Sequence, residues 1–93
     1  VVRVTLGDPP ALVDLATGID GPDLITTLAD GTVLTGDASG HVLAIDRRGH
    51  VRQFASGFRR IRGLAVDESG SRLFVADHGG DGDAPRIELV PLP

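Results

Sequence analysis

Cysteine, lysine, methionine, tryptophan and tyrosine do not occur in this sequence of 93 residues. Without cysteine, the protein can form neither a disulfide nor a thiolate metal site. Long apolar runs are also missing, and none approaches the length of about 20 residues that a membrane-spanning helix needs. The sequence therefore predicts a protein without a membrane partner.

Positive charge is scarce as well. The nine basic residues are all arginine, thirteen residues are acidic, and the net charge is −4. A general nucleic-acid binder needs a concentrated basic face, so this composition argues against a nucleic-acid partner. The one basic cluster, from Arg59 to Arg62, has no interleaved aromatic residue and is typical of a solvated turn.

The clearest local signal lies between Asp30 and Phe54, in the sequence DGTVLTGDASGHVLAIDRRGHVRQF. Three short runs rich in β-branched residues alternate with turns, and each run is too short for a stable helix. Glycine recurs in the turns at positions 31, 40 and 49, where a tight turn can require positive φ. This pattern predicts an antiparallel β-meander.

Similar runs before and after the meander give a predicted total of about nine strands with almost no helix, so the predicted fold class is all-β. The run Ala11–Ala16 also fits a single helical turn, although its length and its flanking Pro and Gly residues favour a strand. The predicted strands are Val1–Leu6, Ala11–Ala16, Leu24–Ala29, Thr32–Asp37, His41–Asp46, Val51–Ala55, Gly63–Asp67, Arg72–Asp77 and Arg86–Val90.

The chain also repeats with an offset of 39 residues, which becomes 40 after one inserted residue. The equivalent pairs include Gly18 and Gly57, Ile25 and Leu64, Gly31 and Gly70, and Asp37 and Asp77. This period lies near the roughly 40–50 residues of a four-stranded propeller blade. We therefore expect residues 1–18 to end one blade, residues 19–57 to form a complete blade, and residues 58–93 to form most of a third.

A propeller closes with about four to eight blades. We therefore expect the remaining blades as partners, supplied by the same longer chain or by other chains.

Two segments, GPDLITTLADGTVLTGDASGHVLAIDRRGHVRQFASG and RGLAVDESGSRLFVADHGG, carry a family pattern. It consists of Gly-Pro-acidic, Asp-Gly-x-Leu, a Thr-Gly or Ser-Asp step, Gly-x-Ile/Val, Gly-Leu-Ala-x-Asp and Leu-x-Val-Ala-Asp. Residues 18–80 thereby resemble six-bladed β-propellers of the SMP-30/gluconolactonase and strictosidine-synthase-like group. NHL-type and streptogramin-lyase-like propellers share some of these steps. The resemblance implies a fragment of a β-propeller with a small-molecule site at the mouth of its central channel.

The resemblance implies a role for Asp23, which lies where the family places an acidic metal ligand. A carboxylate there could hold a divalent metal and polarise a lactone carbonyl, and the other interpretation is an aspartate in a polar turn. The family's second ligand, an Asn before Gly-Leu-Ala, is replaced by Arg62, which cannot ligate a metal. Arg62 favours a metal-free branch or a binding-only propeller, because a guanidinium can grip a carboxylate or phosphate. Asp23 and Arg62 are thus the predicted substrate-binding residues.

The loop that begins at Asp77 nearly matches the ligand spacing of a calcium-binding loop. Asp77, Asp81 and Asp83 fall at its first, fifth and seventh positions, and Glu88 falls at its twelfth. The flanking segments are predicted strands rather than EF-hand helices. The loop is therefore either a strand-flanked site with calcium as its cofactor or a solvated acidic hairpin loop.

No catalytic constellation is evident in the sequence. His41, His50 and His78 lack the spacing of a zinc site, and no Gly-x-Ser-x-Gly element occurs. Three functions stay open. They are a lactone or ester hydrolase-like enzyme with a small-molecule ligand, a non-catalytic NHL-like binding or interaction propeller, and a structural or designed propeller fragment.

Overall fold

The structure is a computed structural model that describes residues 1–9, 11–80, 82 and 84–92. These residues form nine strands and no helix, so the all-β prediction is confirmed. None of them belongs to a helix long and apolar enough to cross a membrane. The strands are β1 (Val2–Thr5), β2 (Ala11–Asp14), β3 (Asp23–Thr27), β4 (Val33–Gly36), β5 (Val42–Ile45), β6 (Val51–Ala55), β7 (Ile61–Val66), β8 (Arg72–Asp77) and β9 (Arg86–Pro91).

Three antiparallel sheets contain these strands, and each sheet consists of strands that follow one another directly in the chain. The first sheet pairs β1 with β2. The second sheet has the order β3-β4-β5-β6, and the third has the order β7-β8-β9. Every hairpin therefore joins neighbouring strands, as the predicted meander requires.

Two strands begin earlier than the sequence pattern predicts. β3 begins at Asp23 rather than Leu24, and β7 begins at Ile61 rather than Gly63. Both strands have a register shift near their start, before Ile25 in β3 and before Gly63 in β7. A β-bulge of this kind leaves one residue unpaired and interrupts the alternation of side chains. The alternating sequence pattern therefore does not identify the first residues of β3 and β7.

Aspartate side chains close the turns on both sides of β5. Asp37 and Asp46 each accept hydrogen bonds from the backbone N–H groups two and four residues later. The carboxylate of Asp37 lies 2.8 Å from Nδ1 of His41, and that of Asp46 lies 3.2 Å from Nδ1 of His50. Both turns have the sequence Asp-x-x-Gly-His, which explains why they adopt the same form.

The core lies between the second and third sheets, where β3 and β4 contact β7. Complete burial of one aliphatic side chain contributes about 1.5–3 kcal/mol, so a small cluster can hold two sheets together. The buried cluster contains Leu34, Val42, Ala44, Phe58, Ile61, Leu73 and Val75.

Gly40 brings the turn between β4 and β5 against the segment that precedes β7. Its φ of 83° lies in the left-handed region, which residues with a Cβ atom rarely adopt. A Cβ atom at Gly40 would overlap the carbonyl group of Phe58, whose N–H donates to the carbonyl oxygen of Gly40 at 3.3 Å. Glycine at this position therefore lets Phe58 reach the core.

The first sheet is exposed on both faces. Within the described residues, neither of its strands contacts a strand of the other two sheets. A cluster of exposed apolar side chains is typical of a surface that another element covers. The exposed apolar residues on and beside the first sheet are Val2, Val4, Leu6, Leu12 and Val13.

Candidate functional site

One end of the second and third sheets holds most of the sequence-predicted site residues that the structure describes. β3 and β7 begin at this end, and β8 ends there. At this end, Asp23 at the start of β3 and Arg62 near the start of β7 are exposed, whereas Asp77 at the end of β8 is buried. The predicted site residues within the described chain are Asp23, Arg62, Asp77 and Glu88, whereas Asp81 and Asp83 lie outside the described residues.

Asp23 and Arg62 form an ion pair between the second and third sheets. Nη1 of Arg62 donates a hydrogen bond to Oδ2 of Asp23 at 3.3 Å. Both side chains are more than half exposed, at 58% for Asp23 and 55% for Arg62. An exposed ion pair contributes at most about 1 kcal/mol, so a ligand can displace one partner. The structure thus brings together the two residues that the sequence predicts to bind substrate.

Asp77 is 3% exposed, and its carboxylate is used inside the fold. It accepts hydrogen bonds from the backbone N–H groups of Arg59, Arg60 and Gly79 at 2.9–3.0 Å. Burial raises the pKa of Asp77, but these donors and the nearby guanidinium of Arg86 outweigh it and bring the pKa below its usual value. An ionised Asp77 therefore holds the segment before β7 against the end of β8.

Arg86 lies between two of the predicted calcium ligands. Its Nε is 3.7 Å from Oδ2 of Asp77, and its Nη2 is 3.1 Å from Oε1 of Glu88. The sequence analysis did not single out Arg86, although the bounds of the predicted strands indicate its position opposite Asp77. A hairpin that joins the predicted strands Arg72–Asp77 and Arg86–Val90 places Asp77 directly opposite Arg86, as the structure shows.

The predicted calcium loop is only partly described. Two of its ligands, Asp77 and Glu88, are both paired with Arg86, so a cation already lies between them. The other two, Asp81 and Asp83, are outside the described residues. Over the described part of the chain, no group of three or more His, Cys, Asp or Glu side chains could hold a metal ion. The calcium loop therefore stays a prediction.

Two clefts open at this end of the third sheet. The first has a volume of about 490 Å³ and is lined by Gly57, Arg59, Asp77, Gly79, Ala84, Pro85 and Arg86. The second, named here the Arg62 cleft, has a volume of about 450 Å³ and is lined by Arg62, Ala76, Asp77, His78, Pro85, Arg86 and Ile87. The Arg62 cleft combines two guanidinium groups and an imidazole with apolar side chains. The carboxylate of Asp77 in its lining is buried and accepts backbone hydrogen bonds, so the exposed charges of the cleft suit a small organic anion.

The two aspartate–histidine pairs lie at opposite ends of the second sheet. Asp37 and His41 are at the end where Asp23 lies, and Asp46 and His50 are at the other. Burial raises the pKa of Asp37, but hydrogen bonds donated chiefly by His41 lower it below its usual value. The pKa of Asp46 is lowered, first of all by the backbone N–H of His50. The pairs stabilise turns and do not form one site, and the repeated Asp-x-x-Gly-His sequence was the signal for them.

Comparison of the chain with protein-family models, with curated proteins and with solved structures found no match. The resemblance to the SMP-30/gluconolactonase and strictosidine-synthase-like group therefore stays an expectation.

Proposed function

We propose that this chain is a segment of a β-propeller whose Arg62 cleft binds a small molecule that carries a carboxylate. The Asp23–Arg62 pair is the observation that carries the proposal. A carboxylate already lies 3.3 Å from the guanidinium that lines the cleft, so the pair indicates the kind of group that the site accepts.

The order of the strands supports the propeller assignment. Each sheet is a meander of consecutive strands, and propeller blades are built in the same way. β3 and β7, the first strands of the second and third sheets, lie against each other. If these are the inner strands of neighbouring blades, the end that holds Arg62 opens at the mouth of the central channel.

Arg62 is the guanidinium best suited to exchange its partner for a ligand. Arg86 pairs with two carboxylates, one of them buried, whereas the partner of Arg62 is the exposed Asp23. Asp23 can turn into water when a ligand arrives. A guanidinium binds a carboxylate through two parallel hydrogen bonds. Ile87, which is 73% exposed beside the cleft, offers apolar surface to the carbon skeleton of the ligand.

Equilibrium dialysis with radiolabelled benzoate tests this proposal. We expect saturable binding to a single site, with competition by unlabelled benzoate but not by the neutral analogue benzamide. Arg62→Gln should remove the binding. Arg48→Gln, which removes an exposed arginine at the opposite end of the second sheet, should leave it intact. Equal binding by the two variants, or stronger competition by inorganic phosphate than by benzoate, would overturn the carboxylate assignment.

Exposed apolar side chains support the proposal that the remaining propeller blades pack against this chain. Leu12 in the first sheet is 71% exposed, and Leu89 in the third sheet is 51% exposed. We propose that further blades, from the same longer chain or from other chains, cover these faces. Sedimentation at increasing concentration should therefore show association of the 93-residue chain, and Leu12→Glu combined with Leu89→Glu should weaken it. A chain that stays monomeric at every concentration would count against this partner.

A hydrolase-like activity on lactones or esters is the second candidate function, and the same pair of residues favours it. Arg62 could stabilise the negative charge that develops on a carbonyl oxygen, and Asp23 could accept a proton from the attacking water. A panel of lactones and esters tests for turnover, which Asp23→Asn should abolish while benzoate still binds. Binding of benzoate without turnover of any lactone or ester would favour the function of a non-catalytic binding propeller.

A further inference from the structure

Leu24, the residue after Asp23, has a backbone conformation that leucine rarely adopts. Its φ of 61° lies in the left-handed region, where a branched side chain is strained. The register shift between Asp23 and Ile25 places Leu24 outside the regular pairing of β3 with β4. A bulge at such a position changes the direction of the neighbouring side chain, which here is Asp23.

The hydroxyl group of Thr35, on β4, contacts this bulge. Oγ1 of Thr35 donates a hydrogen bond to the carbonyl oxygen of Leu24 at 2.8 Å, and Thr35 is only 2% exposed. A buried hydroxyl group is costly unless it is hydrogen-bonded. Valine has nearly the same shape, and its presence at this position would remove the donor without leaving a large cavity.

The third sheet shows that the fold does not require a hydroxyl group at this position. With the offset of 40 residues, the equivalent of Thr35 is Val75, which is fully buried on β8. Both residues pair with the first strand of their own sheet. The third sheet forms its own bulge, before Gly63 in β7, without a hydroxyl group. The feature particular to the second sheet is the positive φ of Leu24, and the carbonyl oxygen of Leu24 accepts the hydrogen bond from Thr35.

We infer that Thr35 is a positioning residue whose hydroxyl group holds Leu24 in the bulge and so keeps Asp23 on Arg62. Without that hydrogen bond, Leu24 relaxes toward an ordinary extended conformation, Asp23 turns away, and Arg62 is left open. The inference rests on the proposed function only for its consequence in ligand binding, because the ion pair itself is observed without a ligand.

Modification of Arg62 by phenylglyoxal, followed by peptide mass spectrometry, tests the inference without a ligand. A carboxylate paired with a guanidinium slows this reaction. Thr35→Val should raise the rate at Arg62 about two- to fivefold, the factor that an exposed ion pair allows. Thr35→Ser keeps the hydroxyl group and should keep the wild-type rate. In an Asp23→Asn background, Thr35→Val should have no further effect, because the pair is already absent.

The modification rates of other arginines in the same digests distinguish a positioning role of Thr35 from unfolding of the chain. Arg48 and Arg52 should react at unchanged rates if the sheets stay folded, and Thr27→Val, the same substitution on β3, should leave Arg62 unaffected. If Thr35→Val unfolds the chain, Leu24→Gly is added, because glycine adopts positive φ without strain. That double variant should fold and return the rate at Arg62 toward the wild-type value.

Two results would overturn the inference. One is an unchanged rate at Arg62 in folded Thr35→Val, and the other is an equal rise in the Asp23→Asn background. The test of this inference and the test of the proposed function can give different results. If the rate at Arg62 rises as expected but no variant binds benzoate, the positioning role stands and the carboxylate site is wrong.

Discussion

Asp23 and Arg62 are 39 residues apart in the chain and 3.3 Å apart in space. Their separation equals the offset of the sequence repeat, so the two residues occupy equivalent positions in successive copies. The repeat therefore places a carboxylate and a guanidinium at the same end of two neighbouring sheets, where the packing of β3 against β7 brings them together. This relationship connects the periodicity of the sequence with the candidate site.

Removal of the internal carboxylate should strengthen binding of an external one. Asp23→Asn is expected to tighten the binding of benzoate about two- to fivefold, because the ligand no longer competes with an ion pair of up to about 1 kcal/mol. Equilibrium dialysis measures the change. Asp20→Asn, an exposed neighbour with the same change in charge, is the control and should have little effect. Equal tightening in both variants would show that net charge, rather than the ion pair, controls affinity.

Loss of the charge on Asp77 should destabilise the fold. Asp77→Asn keeps the size of the side chain but replaces one acceptor oxygen with an NH₂ group that faces backbone donors. Because three backbone N–H groups bond to this buried carboxylate, we expect a loss of about 1–3 kcal/mol in the free energy of unfolding. Chemical denaturation measures it. Asp46→Asn, in an exposed turn, should cost much less, and equal losses would contradict the structural role of Asp77.

Acid should weaken the fold through the turn aspartates. The side chain of Arg72, followed by other donors that outweigh burial, lowers the pKa of Asp67 from 3.8 to about 2. Because the pKa is lower in the folded state, the stabilisation is complete above pH 3.8 and is lost as the pH falls toward 2. The denaturation midpoint should therefore fall across this interval. Asp67→Asn should show a smaller fall, and an identical pH profile for the variant would contradict the assignment.

The contact between Gly40 and Phe58 should make Gly40 intolerant of substitution. Gly40→Ala combines an unfavourable positive φ with overlap between the new Cβ atom and the Phe58 carbonyl group. Gly70→Ala is the matched control, since Gly70 also has positive φ but has open space around its Cβ position. Gly40→Ala should cost more than about 1 kcal/mol beyond the control in the free energy of unfolding. Equal costs would show that backbone strain alone acts at Gly40.

The sequence predicted the strands well because their signals are local. Alternating apolar residues and glycine-containing turns lie within a few positions of each other, as in the stretch from Asp30 to Phe54. The carboxylate of Asp37 also accepts its hydrogen bonds from residues two and four positions later in the chain. Such features need no knowledge of the rest of the fold.

The pairings within the site could not be predicted in the same way, because they depend on register and on packing between sheets. The ion pair of Asp23 with Arg62 requires the contact between β3 and β7. The bounds of the predicted strands place Arg86 opposite Asp77 only if β8 and β9 pair in the observed register. The contact between Thr35 and Leu24 requires a bulge that breaks the alternation of side chains. A sequence pattern indicates where strands lie but does not specify which side chains meet across them.

Protection of Arg62 from phenylglyoxal by benzoate tests the proposed site most directly, because it reports on the guanidinium itself. With benzoate at ten times its dissociation constant, occupancy should slow the modification of Arg62 about tenfold. Arg48, at the opposite end of the second sheet, should react at an unchanged rate. A rate at Arg62 that stays the same at saturating benzoate would contradict the assignment of a carboxylate site to the Arg62 cleft.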